Sequence, residues 1–213
     1  MPAKLLLPIV QLGDPVLRRR AREVTAVELA SPRLQELIDA MRETMRHAPG
    51  VGLAAPQIGL GLRLAVIEDV PDPERGLSDE ERAARERDAV PFHVLVNPKL
   101  VREDVTPVRH FEGCLSLTGY VGVVARARGV RVRCLDEHGQ SRTIHARGWY
   151  ARILQHEIDH LDGTVYVDRV ATRTLMSSAE YARHWGEAEL EEVLAGLDAD
   201  RAPSGPAPGS RPK

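Results

Sequence analysis

The sequence predicts an α+β fold, in which antiparallel or mixed β-sheets pack around one late helix, with further helices near the N- and C-termini. Two observations carry this prediction. Segments with strand character follow one another from residue 92 to residue 147, rather than alternating with helices as in a parallel α/β sheet. Segments with helical periodicity lie over 32 to 47, over 148 to 163 and over about 177 to 196.

The composition is that of one globular domain. The chain has 213 residues, of which 43% are hydrophobic and 28% charged, enough for a sizeable core. A net charge of −2 creates no global field for nucleic acid or an anionic membrane, and an aromatic content of 4% argues against a stacking surface for single strands. The apolar run over 5 to 10 is short and interrupted by proline, so we expect no signal peptide or membrane span. With two cysteines, we expect a cytoplasmic protein with reduced thiols.

The N-terminal half contains one strongly predicted helix. Ser31 and Pro32 are a favourable N-cap and first helical residue, and apolar residues recur at helical spacing from Leu34 to Met45. These features predict a helix over 32 to 47. The other elements expected here are extended chain over 1 to 13, a short helix over 14 to 20, a connection over 21 to 30, a strand over 62 to 68, and a charged insertion over 70 to 90 with a short helix near 78 to 88.

The middle of the chain is predicted to form successive strands. A strand over 92 to 97 is expected to end at Asn97-Pro98. Cys134 alternates with its neighbours on a later strand, so we expect a buried core thiol. The further predicted strands lie over 99 to 109, 121 to 126, 130 to 136 and 141 to 147, with a hairpin turn over 137 to 140.

Residues 148 to 163 read GWYARILQHEIDHLDG and contain the pattern H-E-x-x-H. Positions i and i+4 share one face of a helix, so His156 and His160 can bind one metal ion. Glu157 follows His156 directly, so its carboxylate lies beside the metal without binding it, in the position of a general base for an attacking water. The alternative is two solvated histidines, since the pattern arises by chance in roughly a few per cent of such chains.

A catalytic metal site needs a third protein ligand and an open position. One protease pattern would place a third histidine where Tyr166 stands, and Glu180, which a second pattern would use, falls in a predicted surface helix. Cys114 is favoured, because a thiolate suits zinc or ferrous iron and its neighbours Gly113 and Ser116 are small.

Residues 50 to 59 read GVGLAAPQIG, in which Gln57 is the single polar side chain. The glycines allow the backbone to approach another group closely. Two interpretations of Gln57 remain open: a donor held inside a pocket, or a residue that satisfies a backbone group in a tight buried turn.

Three segments together resemble the three motifs of the peptide deformylase family, in the family's order. They are GVGLAAPQIG over 50 to 59, EGCLSL over 112 to 117 and QHEIDHLDG over 155 to 163. The resemblance implies a catalytic domain over 1 to 170, followed by a helical extension over 171 to 200 and a tail over 201 to 213 that we expect to be disordered. Thr118 departs from the family, which often has proline there.

The resemblance also implies a role for each site residue. Members of the family remove the formyl group from the N-terminal methionine of new polypeptides, and use ferrous iron that zinc, nickel or cobalt can replace. The resemblance makes Glu157 the general acid and base, while Gln57 and the Leu115 backbone N–H hold the developing oxyanion. The implied metal ligands are Cys114, His156 and His160. The implied substrate-binding residues are Gly52, Val51 and Glu112, and the candidates for lining the methionine pocket are Val51, Glu112, Trp149 and His156.

Two other functions fit parts of the pattern. A metallopeptidase or other metal amidase would use the same helix, but Cys114 within EGCLSL argues against it. A protein that only binds chain ends is disfavoured by the intact Glu157 and Gln57. We expect a monomer or weak dimer that acts on formylmethionyl nascent peptides, has no nucleic-acid specificity, and visits the ribosome exit region through basic residues near its C-terminus.

Overall fold

The structure, a computed structural model, describes residues 5 to 48, 50 to 70, 79 to 186 and 188 to 198. The helices in these residues are α1 (Ala26–Leu29), α2 (Pro32–His47), α3 (Asp79–Ala84), α4 (Gly148–Leu161), α5 (Ser178–His184) and α6 (Leu190–Gly196). The strands are β1 (Gly52–Ala54), β2 (Leu64–Asp69), β3 (Val90–Cys114), β4 (Leu117–Leu135), β5 (Ser141–Arg147) and β6 (Met176–Ser177). The α+β prediction is confirmed.

The described strands form one antiparallel sheet in the order β1-β2-β3-β4-β5, and β6 pairs with β4. β3 and β4 form a long hairpin, whose last pair is Cys114 opposite Leu117. β1 lies at the edge of the sheet, and within the described residues it pairs with β2 alone. The hairpin tip and the edge strand are the parts of the sheet that carry two of the sequence motifs.

Two helices cover opposite faces of this sheet. Because side chains alternate along a strand, Ala65 and Ile67 of β2 join the core cluster of α4, while Leu64 and Val66 join that of α2. α4 contributes its apolar face to the first cluster, as predicted for the central helix. None of the helices in the described part of the chain has the length and apolar composition needed to span a bilayer.

The two long helices begin and end at residues whose side chains or backbone conformations suit helix ends. The Ser31 hydroxyl accepts the Leu34 N–H at 3.3 Å, and α2 has the bounds that the sequence predicted. α4 begins at Gly148, which has φ +57°. The missing side chain leaves room for Glu86, because a Cβ added to Gly148 would lie 2.3 Å from the Cβ of Glu86. Beyond α4, Gly163 has φ +78°, a left-handed conformation that ends the helix.

One strand boundary was predicted wrongly. The strand expected to end at Asn97-Pro98 continues as β3 to Cys114. The pairing register shifts between Val96 and Lys99. Pro98 lies in this irregularity, where no backbone N–H is needed for a hydrogen bond to the neighbouring strand. Asn97 adopts φ +52°, and its side chain bonds the backbone of Val24.

Other predicted bounds were also wrong. The connection over 21 to 30 contains α1, because Thr25 and Glu28 form a capping box. The C-terminal helix over 177 to 196 is two helices, since the chain turns at Trp185 and the indole packs against Gly196. The two strands predicted over 121 to 126 and 130 to 136 form one strand, β4, which ends at Leu135. The helix near 78 to 88 is the shorter α3, while residues 71 to 78 and the tail over 201 to 213 lie outside the described residues.

Candidate metal centre

Three candidate ligands meet between the hairpin tip and the central helix. Cys114 ends β3, and His156 and His160 lie one turn apart on α4. Their ligand atoms all lie within 4.8 Å of one another. His160 Nε2 is 3.3 Å from Cys114 Sγ, and the centroids of the two imidazole rings are 5.0 Å apart.

The chemistry of this donor set fits a divalent transition metal. A thiolate and two imidazoles suit zinc, iron and related ions, and three protein ligands leave a position open. His156 Nδ1 lies 3.0 Å from a carboxylate oxygen of Glu112, the kind of partner that orients a metal-binding imidazole. That bond leaves Nε2 of His156 for the ion.

The two imidazoles differ in proton affinity. Burial would lower the pKa of His156, but hydrogen bonds to Cys114 and Glu112 raise it well above its usual value. Burial, together with the neighbouring His156, lowers the pKa of His160 well below its usual value. A metal must displace the proton of His156, so acid opposes metal binding.

Glu157 is buried beside these ligands, at 4% exposure. Its carboxyl lies against Gly52, where a Cβ would be only 2.3 Å from Oε1. Oε2 is buried and has no hydrogen-bond partner among the described residues. Burial raises the pKa of Glu157 to about 7, so the carboxyl can accept and return a proton near neutral pH.

Gln57 combines both interpretations that the sequence left open. Its side chain is 1% exposed, and Oε1 accepts the Ala54 N–H at 2.8 Å. This bond fixes the amide so that Nε2 donates toward Cys114 Sγ at 3.5 Å. The side chain therefore satisfies a backbone group and directs a donor at the metal centre.

The loop after Cys114 is closed by local hydrogen bonds. The Leu115 carbonyl accepts from the Thr118 hydroxyl at 3.3 Å and from the Gln11 amide at 3.0 Å. The Ser116 N–H approaches Cys114 Sγ at 3.4 Å. Thr118 thus holds the turn in which the family often has proline.

A cavity of about 420 Å³ opens beside two of the candidate ligands, Cys114 and His156. Eight of the nine predicted site residues line it, namely Val51, Gly52, Gln57, Glu112, Cys114, Leu115, His156 and Glu157. The ninth, His160, is 1% exposed and lies beside Cys114. Trp149 also lines the cavity, and so do residues that the sequence did not single out, including Arg87, Phe111, Ile153 and Ser178.

A buried ion network that sequence reasoning missed surrounds Glu112. Arg126 donates to both of its carboxylate oxygens, at 3.0 and 2.9 Å, and Arg152 donates at 2.5 Å. Burial alone would raise the pKa of Glu112, but hydrogen bonds to His156 and Arg126 hold it well below its usual value. The carboxylate stays charged and turned toward His156. The available signal was Arg152 itself, a cation within the apolar part of α4.

Removal of Arg152 should cost much stability. Its guanidinium also donates to the carbonyls of Val124 at 3.0 Å and Val108 at 2.5 Å, so Arg152→Met leaves buried acceptors without a donor. We expect a loss of about 3–5 kcal/mol in the free energy of unfolding, measured in urea. Arg147→Met, whose side chain is 62% exposed and paired with Asp104, should cost about 0–1 kcal/mol. Equal losses would contradict this account.

The fold and site define a metal-dependent hydrolase. One sulfur and two nitrogen candidate ligands converge beside a cavity, and an ionisable glutamate lies next to them. The model of the polypeptide deformylase family matches residues 6–175. The chain therefore belongs to the peptide deformylase family, the hydrolases that remove the N-formyl group from newly made polypeptides. This confirms the resemblance, and it argues against the metallopeptidase and the non-catalytic alternatives.

Known relatives agree with this membership. Peptide deformylase 1 of Streptomyces coelicolor is 51% identical over 191 residues, covering 90% of this chain and 85% of that protein. The mitochondrial peptide deformylase of Homo sapiens is 38% identical over 166 residues, covering 78% and 68%. The structure of a class I type b peptide deformylase from Acinetobacter baumannii with Met-Ala-Ser bound has a TM-score of 0.71 and 34% identity, covering 79% of this chain and 100% of that one.

Proposed function

We propose that Cys114, His156 and His160 hold ferrous iron in the cell, and that the chain deformylates formylmethionyl nascent peptides in the cytoplasm. The observation that carries the proposal is the convergence of the three ligand atoms within 4.8 Å. The thiolate favours iron, while zinc, nickel or cobalt can occupy the same ligands. A divalent ion supplies Lewis acidity, which makes a water acidic enough to lose a proton near neutral pH and polarises the carbonyl under attack.

Glu157 moves the proton in this proposal. Its carboxylate takes the proton of the attacking water as the formyl carbon is attacked, and then gives it to the departing amine, so that formate and a free N-terminus result. Two observations support this role: Oε2 is buried without a hydrogen-bond partner in the part of the chain that the structure describes, and the pKa of Glu157 is raised to about 7. A carboxylate with an ordinary pKa would be a weaker base for the proton of the attacking water in the first step.

Gln57 and the Leu115 N–H stabilise the negative oxygen that develops during the attack. The amide of Gln57 is fixed in advance by its bond to Ala54, so no reorganisation is needed when charge appears. Leu115 lines the same cavity from the turn after Cys114. Loss of one such donor costs about 3–4 kcal/mol in the barrier.

The substrate binds as an added strand. β1 lies at the sheet edge, and Val51 and Gly52 line the cavity at this edge, so an extended peptide can pair with this backbone. The methionine side chain then enters the cavity beside Glu112, Trp149 and His156. The Acinetobacter baumannii relative with Met-Ala-Ser bound supports a peptide in this cavity.

Gly52→Ala should reduce turnover by about 100-fold or more, because the new Cβ would displace the Glu157 carboxylate, and a misplacement of about 1 Å costs on that order. Formate release from formyl-Met-Ala-Ser measures the loss. Gly61→Ala is the matched control, since a Cβ at Gly61 meets no atom of the described residues within 4 Å, and it should keep full activity. Similar activities of the two variants would refute the close packing of Gly52 on Glu157.

One experiment tests the proposed function directly. Protein purified without oxygen is analysed for metal and assayed for formate with formyl-Met-Ala-Ser, with acetyl-Met-Ala-Ser as the control. We expect the protein to contain iron and to release formate from the formyl peptide alone. Its activity should be lost in air, and replacement of the iron by nickel should prevent this loss. Cleavage of an internal peptide bond without formate would overturn the proposal.

We further propose that the chain works as a monomer or weak dimer near the ribosome exit, using basic residues of its C-terminal region. Such contacts to ribosomal RNA weaken with salt. Co-sedimentation with ribosomes should therefore be lost between about 50 and 200 mM salt. Binding that is absent or insensitive to salt would remove this part of the proposal, and light scattering measures the oligomeric state.

A further inference from the structure

Tyr166 is one of the largest side chains that the fold buries completely, with 1% of its surface exposed. It stands where one protease pattern places a third metal-binding histidine, but here Cys114 completes the candidate ligand set. The phenol ring lies beside another candidate ligand, because the ring centroids of Tyr166 and His156 are 6.3 Å apart and their planes differ by 21°. A buried tyrosine needs a partner for its hydroxyl, and the identity of that partner indicates what Tyr166 does.

The hydroxyl of Tyr166 reaches the hairpin of β3 and β4. It donates to the Tyr120 carbonyl of β4 at 3.1 Å. The residue after Tyr120, Val121, pairs with Gly113 of β3, and the Tyr120 carbonyl lies 3.6 Å from where a Cβ of Gly113 would be. Because Gly113 directly precedes Cys114, the hydroxyl holds the hairpin within one residue of the candidate thiolate ligand.

The backbone around Tyr166 is fixed to α4. A 3₁₀ turn over Tyr166–Asp168 follows this helix, and the Asp168 carboxylate accepts the Val165 N–H at 2.9 Å. Arg169, directly after the turn, donates to both carboxylate oxygens of Asp159 at 2.7 and 2.8 Å. Asp159 lies on α4 between the two candidate histidine ligands. The Tyr166 hydroxyl therefore links the helix that carries the histidines to the hairpin that carries the cysteine.

We propose that the Tyr166 hydroxyl is a positioning group of the metal centre, which fixes the hairpin end with Cys114 relative to the helix with His156 and His160. Zinc and related ions hold sulfur and nitrogen ligands at fixed distances of about 2.0–2.3 Å. Ligands that are already in place lose less conformational freedom when the ion binds, so the ion is held more tightly. This inference rests on the proposed ligand set and adds a residue that lies outside the three family motifs.

Tyr166→Phe tests the inference, because it keeps the ring beside His156 and removes only the hydroxyl. Protein loaded with nickel is mixed with an excess of chelator, and the release of metal is followed over time. We expect release about 3–10-fold faster than in the unchanged chain, the factor that one hydrogen bond between neutral groups contributes. Loss of a group that bonds a ligand directly costs about 10–100-fold, so a smaller factor is expected for a group that acts through the backbone.

Tyr150→Phe is the matched control. Tyr150 also lies on α4, and its hydroxyl is 2.9 Å from Nε2 of His93, so this variant loses one partly buried hydrogen bond as well. That bond contacts none of the candidate ligands, and the control should release nickel at the rate of the unchanged chain. Near-ultraviolet circular dichroism checks that both variants keep their tertiary packing.

Equal release rates in Tyr166→Phe and Tyr150→Phe would overturn the inference, because general loosening of the fold would then account for both. Release from Tyr166→Phe at the rate of the unchanged chain would overturn it as well. Both results leave the proposed function standing. Failure of the unchanged chain to retain nickel, or to release formate from formyl-Met-Ala-Ser, would overturn the proposed function itself.

Discussion

Glu157→Gln is expected to keep its metal and to lose turnover by about 10²–10⁴-fold, the range that general acid–base catalysis contributes. Glutamine has the shape of glutamate, so the packing against Gly52 is preserved. Its amide cannot accept the proton of the attacking water or return one to the amine. Metal analysis and the rate of formate release, measured on the same preparation, separate loss of chemistry from loss of the ion.

Glu180→Gln is the control, because its side chain is 48% exposed on α5 and forms ion pairs with Arg183 and His184 of the same helix. It should keep full turnover. A Glu157→Gln variant whose rate stays within a few-fold of the unchanged chain would refute the role of Glu157. Loss of metal together with rate would show that the carboxylate acts in binding the ion.

Cys114→Ala is expected to lose the metal itself. The loss of a residue that merely orients a ligand costs about 10–100-fold in metal affinity, so the loss of the thiolate ligand should cost more than about 100-fold. We expect little metal after dialysis against a competing chelator, and activity should fall in proportion. Measurement of metal content and activity at several chelator concentrations gives the change in affinity.

Cys134→Ala is the matched control for this prediction. Cys134 is buried in β4, and burial raises the pKa of its thiol to about 11, so it stays protonated and takes no part in metal binding. The control should keep its metal. Full metal content in Cys114→Ala, or equal losses in the two variants, would remove Cys114 from the proposed ligand set.

Local patterns in the sequence were sufficient for the helices that carry or support the site. Ser31 and Pro32 fixed the start of α2, and the i, i+4 spacing of His156 and His160 placed both rings on one side of α4. The third candidate ligand, Cys114, was favoured for the chemistry of its thiolate and for its small neighbours, because it lies 46 residues from His160 and no local spacing connects them.

The parts that sequence reasoning missed depend on distant partners. Glu112 bonds Arg126 and Arg152, which lie 14 and 40 residues away, so no pattern within one segment shows the network. β3 continues past Pro98 because the register shift removes the need for an N–H there, a fact set by the neighbouring strand. Such features follow from pairing between strands and not from the preferences of single residues.

The short length of β1 has a consequence for self-association. An open strand edge that accepts substrate can also accept the edge of another copy and start aggregation. β1 has three residues, and Pro56 in the turn that follows lacks the N–H that a longer ladder would need. A short peptide of the kind that we propose as substrate needs few bonds to this edge. A full strand from a second molecule would form few hydrogen bonds there, so the short β1 is a poor template for aggregation.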